Sequence, residues 1–217
     1  MFKLIHTGLD NFFSLLFPER CIGCLKEKVF LCELCIKKAK KESEIKNPGP
    51  FLDKLYSFGF YDNRVLKRAI RRFKYHGTAR LSHPFSQMLH HLFRTYLTSE
   101  TNAVLLPIPI SKKRLRKRGY NQAELISKAL SDRTGIENMS DIILKVKDTP
   151  TQTALSSAKR ISNVINSFRI STSEKIAGRT VFLIDDISTT GATLNEAARV
   201  LKDAGAKKVI GLVIARG

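Results

Sequence analysis

VFLIDDISTTGAT, residues 181 to 193, sets four apolar residues ahead of two adjacent carboxylates, then small hydroxylated residues around one glycine. A strand that needed only burial would not end on Asp185 and Asp186 side by side. Neighbouring like charges repel, and neither is cheaply buried. The stretch reads as a buried strand over 181–184 that delivers both acids to the carboxyl edge of a sheet, where open α/β folds bind their ligands. The loop 188–193 then enters a helix over 194–204. Such an entry offers unpaired backbone N–H groups and the positive end of the helix dipole, which suit a phosphate. Threonine hydroxyls add donors, and Gly191 lets the backbone approach closely. Acids that face hydroxyls or a metal ion, beside a loop that receives an anion, together describe a sugar phosphate.

Outward from that strand the chain alternates. "LYSFGFY" (55–61) reads as a strand, and "NRVLKRAIRRFKY" (63–75) as a helix with divided faces. Val65, Leu66, Ala69, Ile70 and Phe73 recur at helical spacing on one side, with Arg64, Lys67, Arg68, Arg71 and Arg72 on the other. Residues 81–97 read as another helix, "AVLLPIPI" (103–110) as a buried strand ended by its prolines, and 121–134 as a helix stopped by Gly135. Strand signals return at "DIILKV", "SFRI" and "RTVFLID". The helix over 194–204 ends at Gly205, and "KKVIGLVIA" is the last strand. Strands alternating with helices, several continuously apolar, predict an α/β fold whose parallel sheet is covered on both faces.

The formal charge is +19 over 217 residues, and it is concentrated. Residues 64–74 hold six bases and no acid, and residues 112–118 hold six more, so these two runs carry 12 of the 19 net charges. Such concentration points to an anionic partner, nucleic acid or a phosphate-rich ligand, with a solubilising surface as the alternative. A track for single-stranded DNA would use Arg64, Lys67, Arg68, Arg71, Arg72 and Lys74 on the helix, with Lys112, Lys113 and Arg114 in the second run. Small-molecule chemistry alone would need only a basic pocket.

All four cysteines fall within fifteen residues, as Cys21-x2-Cys24 and Cys32-x2-Cys35. Two such knuckles give four thiolates with the spacing that wraps one Zn2+ tetrahedrally. Two disulfides are the alternative, which a basic chain without export signals argues against. A fully thiolate-ligated site has no open position for water, so its role is structural. The expected organisation is an amphipathic helix over 1–17, a zinc ribbon over 18–44, a linker at "IKNPGPF" (45–51) and an α/β domain over 51–217. Asp10 and Asn11 interrupt the apolar N-terminal run and no small-residue cleavage site follows, so a helix packed on the body or lying at a membrane surface is expected. No apolar stretch reaches the roughly 18 residues of a membrane span. The expected location is therefore cytoplasmic, with the inner face of the membrane as a contact.

The stretch 181–193 resembles the signature of type I phosphoribosyltransferases: four apolar residues, two acids, an apolar residue, then a hydroxylated run with TG-x-T. More of the chain resembles ComF-type proteins in particular. "LLPIPISKKRLRKRGYNQAELI" (105–126) is similar to their pyrophosphate-loop region, and "KDTPTQTALSSAKRISNV" (147–164) to their flexible loop. "FKYHGTARL" is similar to their K-aromatic-x-G element, and "FPERCIGC" to their N-terminal knuckle. After Asn163 the chain reads "VINSF", where those proteins usually carry a glycine before the aromatic. The resemblance implies a type I phosphoribosyltransferase-like fold behind a four-Cys ribbon, with phosphoribosyl pyrophosphate and Mg2+ as ligands. It implies that Thr189, Thr190, Gly191, Ala192 and Thr193 hold the 5′-phosphate and that Asp185 and Asp186 hold the ribose hydroxyls. Pyrophosphate would sit by Pro109, Ile110 and Ser111 with Arg118, and Arg160 would reach the leaving group when its loop closes. Tyr120 would either stack on a base or anchor its helix in the core. His90 and His91 are read as surface or packing residues.

The resemblance further implies DNA uptake during natural transformation, with a competence helicase or another uptake protein as partner. Three classes of function stay open: a single-stranded-DNA-binding protein that carries a phosphoribosyl pyrophosphate site; a small-molecule, nucleobase-type phosphoribosyltransferase with no DNA role; and an adaptor, additional to either, whose ribbon and N-terminal helix dock a helicase or membrane complex.

Overall fold

A computed structural model of the chain describes residues 19–46, 48–147 and 164–217. The expected N-terminal helix over 1–17 lies outside the described residues, as does Arg160. A short helix α1 (Glu33–Ala39) follows the first knuckle, then strands β1 (Ser43–Lys46) and β2 (Lys54–Phe60). Helices α2 (Arg64–Tyr75) and α3 (Ser82–Tyr96) precede β3 (Ala103–Pro107), α4 (Lys112–Arg118) and α5 (Gln122–Thr134). The rest is β4 (Glu137–Asn138), β5 (Ile143–Lys145), β6 (Phe168–Ile170), β7 (Thr180–Ser188), α6 (Ala192–Asp203) and β8 (Lys208–Arg216).

The main sheet has the order β1-β2-β8-β7-β3-β4, and every pair in it is parallel except β1 with β2. Its central strands are apolar on both sides because both sides are covered. On one face Phe182 and Ile184 of β7 and Ile210, Leu212 and Ile214 of β8 meet α2, α3 and α5. On the other, Val181, Leu183, Val209 and Val213 meet α6 and the segment around β5 and β6.

Local chemistry starts the helices where expected. Asn63 accepts from Val65 and Leu66 N–H at the head of α2, and Asn121 accepts from Ala123 N–H at the head of α5. Such caps contribute about 1 kcal/mol each. Helix α2 buries Leu66, Ala69, Ile70 and Phe73 and leaves its arginines in solvent, as its periodicity predicts.

Several expectations are corrected. Residues 45–51 are only partly a linker, since Ile45 and Lys46 pair with Leu55 and Lys54 at the antiparallel edge of the sheet. Strands β5 and β6 form their own two-stranded antiparallel sheet. The run 112–118, to which the sequence assigns no element, is a helix, capped by Ser111 and closed by Gly119 in the left-handed region. The cysteine ribbon is also no separate body: Ile22, Leu31, Ile36 and Ala39 belong to the same buried cluster as Phe58 and Leu66. Gly59 of β2 permits that approach, because a Cβ there would stand 2.9 Å from the Ala39 carbonyl oxygen.

Candidate functional site

Strand β7 runs past its neighbour. It pairs with β3 only as far as Ile184 opposite Pro107, but continues along β8 through Ser188 opposite Arg216. Asp185 and Asp186 therefore sit on the strand itself, beyond the end of β3, and not in a loop. Alternation along a strand sends successive side chains to opposite faces, so Asp186 follows Phe182 and Ile184 while Asp185 follows Val181 and Leu183. The two acids straddle the sheet edge. Both line one cavity of about 360 Å3.

Each acid has its own electrostatic setting. Asp186 is buried and meets the Lys74 ammonium of α2 at 2.8 Å. Breaking so buried a pair would cost about 3–5 kcal/mol. Asp185 keeps part of its surface open to the cavity, yet burial and then the charge of Asp186 push its carboxyl up to about 7. Lys74, the Asp186 N–H bonded to its Oδ1 at 2.8 Å, and Lys145 of β5 pull the other way without prevailing.

The opposite wall is the turn into α6. Gly191 caps that helix with φ +75°, a conformation glycine adopts without strain, and as the N-cap residue it brings no side chain to bond the first N–H groups. Thr190 Oγ1 accepts weakly from Ala192 N–H at 3.4 Å. Residues 189–193 all line the cavity.

Basic side chains form the rim. Arg118 lines the cavity as expected, fixed by a 2.9 Å bond to Gln122 Oε1, and the Gln122 amide nitrogen is a buried donor without a partner among the described residues. An unsatisfied donor at that place fits an anionic or hydroxyl-bearing ligand. Pro109 and Ile110 also line the cavity, whereas Ser111 is buried behind it with its hydroxyl accepting from Arg114 N–H. Asn121 donates to the Ile108 carbonyl at 3.1 Å, which ties the exit of β3 to α5 and so shapes this wall.

Arg71, Lys74 and Arg114, read as part of a DNA track, line the cavity too. Lys74 in particular is committed to Asp186. Arg64, Lys67, Arg68, Arg72, Lys112 and Lys113 lie outside it. Tyr120 is a core anchor: its hydroxyl donates to the Phe73 carbonyl and its ring packs on Phe73. Tyr61, Tyr75 and Lys145 line the cavity and were not singled out beforehand. Tyr75 stands beside Lys74 in the K-aromatic-x-G element, the sequence signal that pointed at it. Lys145 carried none, because its approach depends on how β5 packs. His91 meets Glu42 at 2.6 Å, away from the acids.

The four cysteine sulfurs lie within 4.8 Å of one another, and all four thiols are free. Burial opposes ionisation of Cys21, but the N–H groups of Cys32, Cys24 and Gly23 outweigh it and bring the thiol down to about 6. Burial raises Cys35 instead. Four convergent soft donors, one already acidified, fit a metal ion held in a closed tetrahedral set.

Comparison with known proteins agrees with this geometry. Residues 115–217 match the family model described as phosphoribosyl transferase domain. Competence protein F of Haemophilus influenzae is 32% identical over 194 residues, covering 87% of this chain and 81% of that one. The chain belongs to the ComF family of competence proteins. ComFC of Bacillus subtilis is 32% identical over 143 residues, which span 66% of this chain and 56% of that relative. DNA utilization protein YhgH of Salmonella typhimurium is 27% identical over 199 residues, 87% of this chain and 85% of its own.

The departure from the usual ComF pattern at "VINSF" has a local explanation. Asn166 adopts φ +56°, the left-handed region that glycine favours and that asparagine tolerates best among other residues. Its N–H donates to Glu196 Oε1 at 2.8 Å, and Arg199 holds Glu196 through two nitrogens. Asn166, just ahead of β6, is thus fastened to α6.

Proposed function

We propose that this ComF-family protein binds single-stranded DNA during DNA uptake and carries a phosphoribosyl pyrophosphate/Mg2+ site at the carboxyl edge of its sheet. The observation that carries the reading is the acid pair facing the glycine-capped start of α6 across one cavity with a rim of arginines. Residues 189–193 take the 5′-phosphate, Asp185 and Asp186 the ribose hydroxyls, and Ile110, Arg118 and the Gln122 amide the diphosphate. Bound Mg2+ would neutralise charge at the diphosphate, and Asp185 and Asp186, the carboxylates among the described residues that line the cavity, would hold it. If phosphoribose is transferred, the bond from the anomeric carbon to pyrophosphate breaks and one to the acceptor forms. Ionised Asp185 and Asp186 then favour the positive charge developing on the ring, while Arg118 and Arg71 stabilise the departing anion.

In the ribbon the proposed ion is structural Zn2+ on Cys21, Cys24, Cys32 and Cys35. The names competence protein and DNA utilization protein borne by the relatives support the DNA role. So do the two basic runs, which carry more positive charge than the cavity alone accommodates. A competence helicase or another uptake protein is the proposed partner, on the cytoplasmic side of the membrane. No helix among the described residues is long and apolar enough to cross one.

Binding of a labelled single strand as a function of salt tests this reading. Affinity is expected to fall steeply, with a log–log slope of about −0.7 per neutralised phosphate and little sequence preference. Absence of salt-sensitive binding would leave a small-molecule transferase without a DNA role.

A further inference from the structure

The two basic runs lie far apart in sequence but meet at the acids. Arg71 and Lys74 from α2, with Arg114 and Arg118 from α4, line the cavity that also holds Asp185 and Asp186. Outside it, Arg68 and Arg72 continue the positive face of α2, and Lys112 and Lys113 that of α4. A strand that uses both faces crosses the mouth of the cavity. Tyr75 stands at that crossing, 54% exposed, with the Arg118 guanidinium 5.4 Å from its ring centre. A half-exposed aromatic among arginines is the combination single strands use, phosphates on cations and bases on rings.

We propose that the cavity mouth is shared, so that single-stranded nucleic acid and Mg2+-bound phosphoribosyl pyrophosphate exclude one another. The strand lays a phosphate on Arg71 and Arg118 and a base on Tyr75. This rests on the dual reading above and adds its regulation: a sugar diphosphate that releases DNA, and DNA that shuts out the sugar diphosphate. Because linkage between two ligands is reciprocal, each weakens the other by the same factor.

The experiment uses the full chain with Mg2+ and ionic strength held constant. Calorimetry first fixes the affinity for phosphoribosyl pyrophosphate alone. Anisotropy of a labelled thymidine oligonucleotide is then followed as phosphoribosyl pyrophosphate is added. At ten times its own Kd, roughly a tenfold loss of oligonucleotide affinity is expected. In the Asp185→Asn/Asp186→Asn protein the oligonucleotide is expected to bind but to ignore phosphoribosyl pyrophosphate. Tyr75→Ala is expected to weaken the thymidine strand roughly tenfold while leaving an abasic strand unchanged. Undiminished DNA affinity with both ligands shown to bind would overturn the sharing and leave the dual reading intact. Equal displacement in the double variant would also overturn it, as bulk anion competition. No heat with phosphoribosyl pyrophosphate would overturn both.

Discussion

Asp185 concentrates the cost of the site in one residue. An ordinary aspartate has a pKa of 3.8, and burial beside Asp186 lifts this one to about 7. The folded chain therefore holds a proton that the unfolded chain releases. Stability linked to this group is fully present below about pH 4, falls as pH rises towards 7, and is flat above that. An asparagine amide in its place would mimic the neutral acid and keep an oxygen for the Asp186 N–H. Asp185→Asn is thus expected to leave the melting temperature unchanged at pH 4 and raise it by about 3 °C or more at pH 8. Melts across that range check the sign; a variant less stable at pH 8 would show that the ionised acid is favoured by the fold. Ligand affinity should run the opposite way. The ionised carboxylate is the form that holds ribose hydroxyls or Mg2+, so affinity for phosphoribosyl pyrophosphate is expected to rise from about pH 6 to about pH 8 in the native chain, across the titration of this acid. Calorimetry at the two pH values reads it directly.

Helix α2 separates two jobs along its length. Arg68 and Arg72 lie one turn apart on its exposed face, and neither lines the cavity. Arg68→Glu with Arg72→Glu is expected to cut single-strand affinity and to make the salt slope shallower by about 1.4, the share of two phosphates. Phosphoribosyl pyrophosphate affinity should hold. Arg72 also sits over the Phe30 ring at 5.9 Å, an exposed contact worth about 0.5–1 kcal/mol, so its loss should not unfold the ribbon. Lys113→Ala with Arg118→Ala is expected to weaken both ligands, because Arg118 belongs to the rim and Lys113 to the outer face. Unchanged DNA binding in the glutamate pair would make the arginine face of α2 a solvated surface only.

In the ribbon, one metal ion per chain is expected from elemental analysis. Because Ile22, Leu31 and Ile36 share the main core, Cys21→Ser should lower the melting temperature of the whole chain and not only loosen the knuckles. A melt unchanged by that substitution would make the cluster dispensable to the fold.

At the scale of the molecule, elements with a strong period were legible in the sequence, and features set by packing were not. The faces of α2, the Gly135 stop and the buried β7 follow from residue spacing, as do the four cysteines that converge. The extension of β7 through Ser188 was hidden because adjacent acids look like a strand end, and only β8 pairing beside a shorter β3 shows otherwise. The helix over 112–118 was hidden because seven residues with Leu115 as the one apolar side chain carry no amphipathic period. The partner of Asp186 could not be chosen among 38 basic residues until the fold brought Lys74 to it.

The central claim is that the acids at the end of β7 receive a ribose. Titration of the native chain with phosphoribosyl pyrophosphate and Mg2+ tests it most directly, set against Asp185→Asn/Asp186→Asn with an unchanged circular dichroism spectrum. One site per chain is predicted in the native protein. In the double variant each lost charged acceptor should cost about 1.5–3 kcal/mol, which takes binding down by two orders of magnitude or more. Equal affinity in the two proteins would contradict the account.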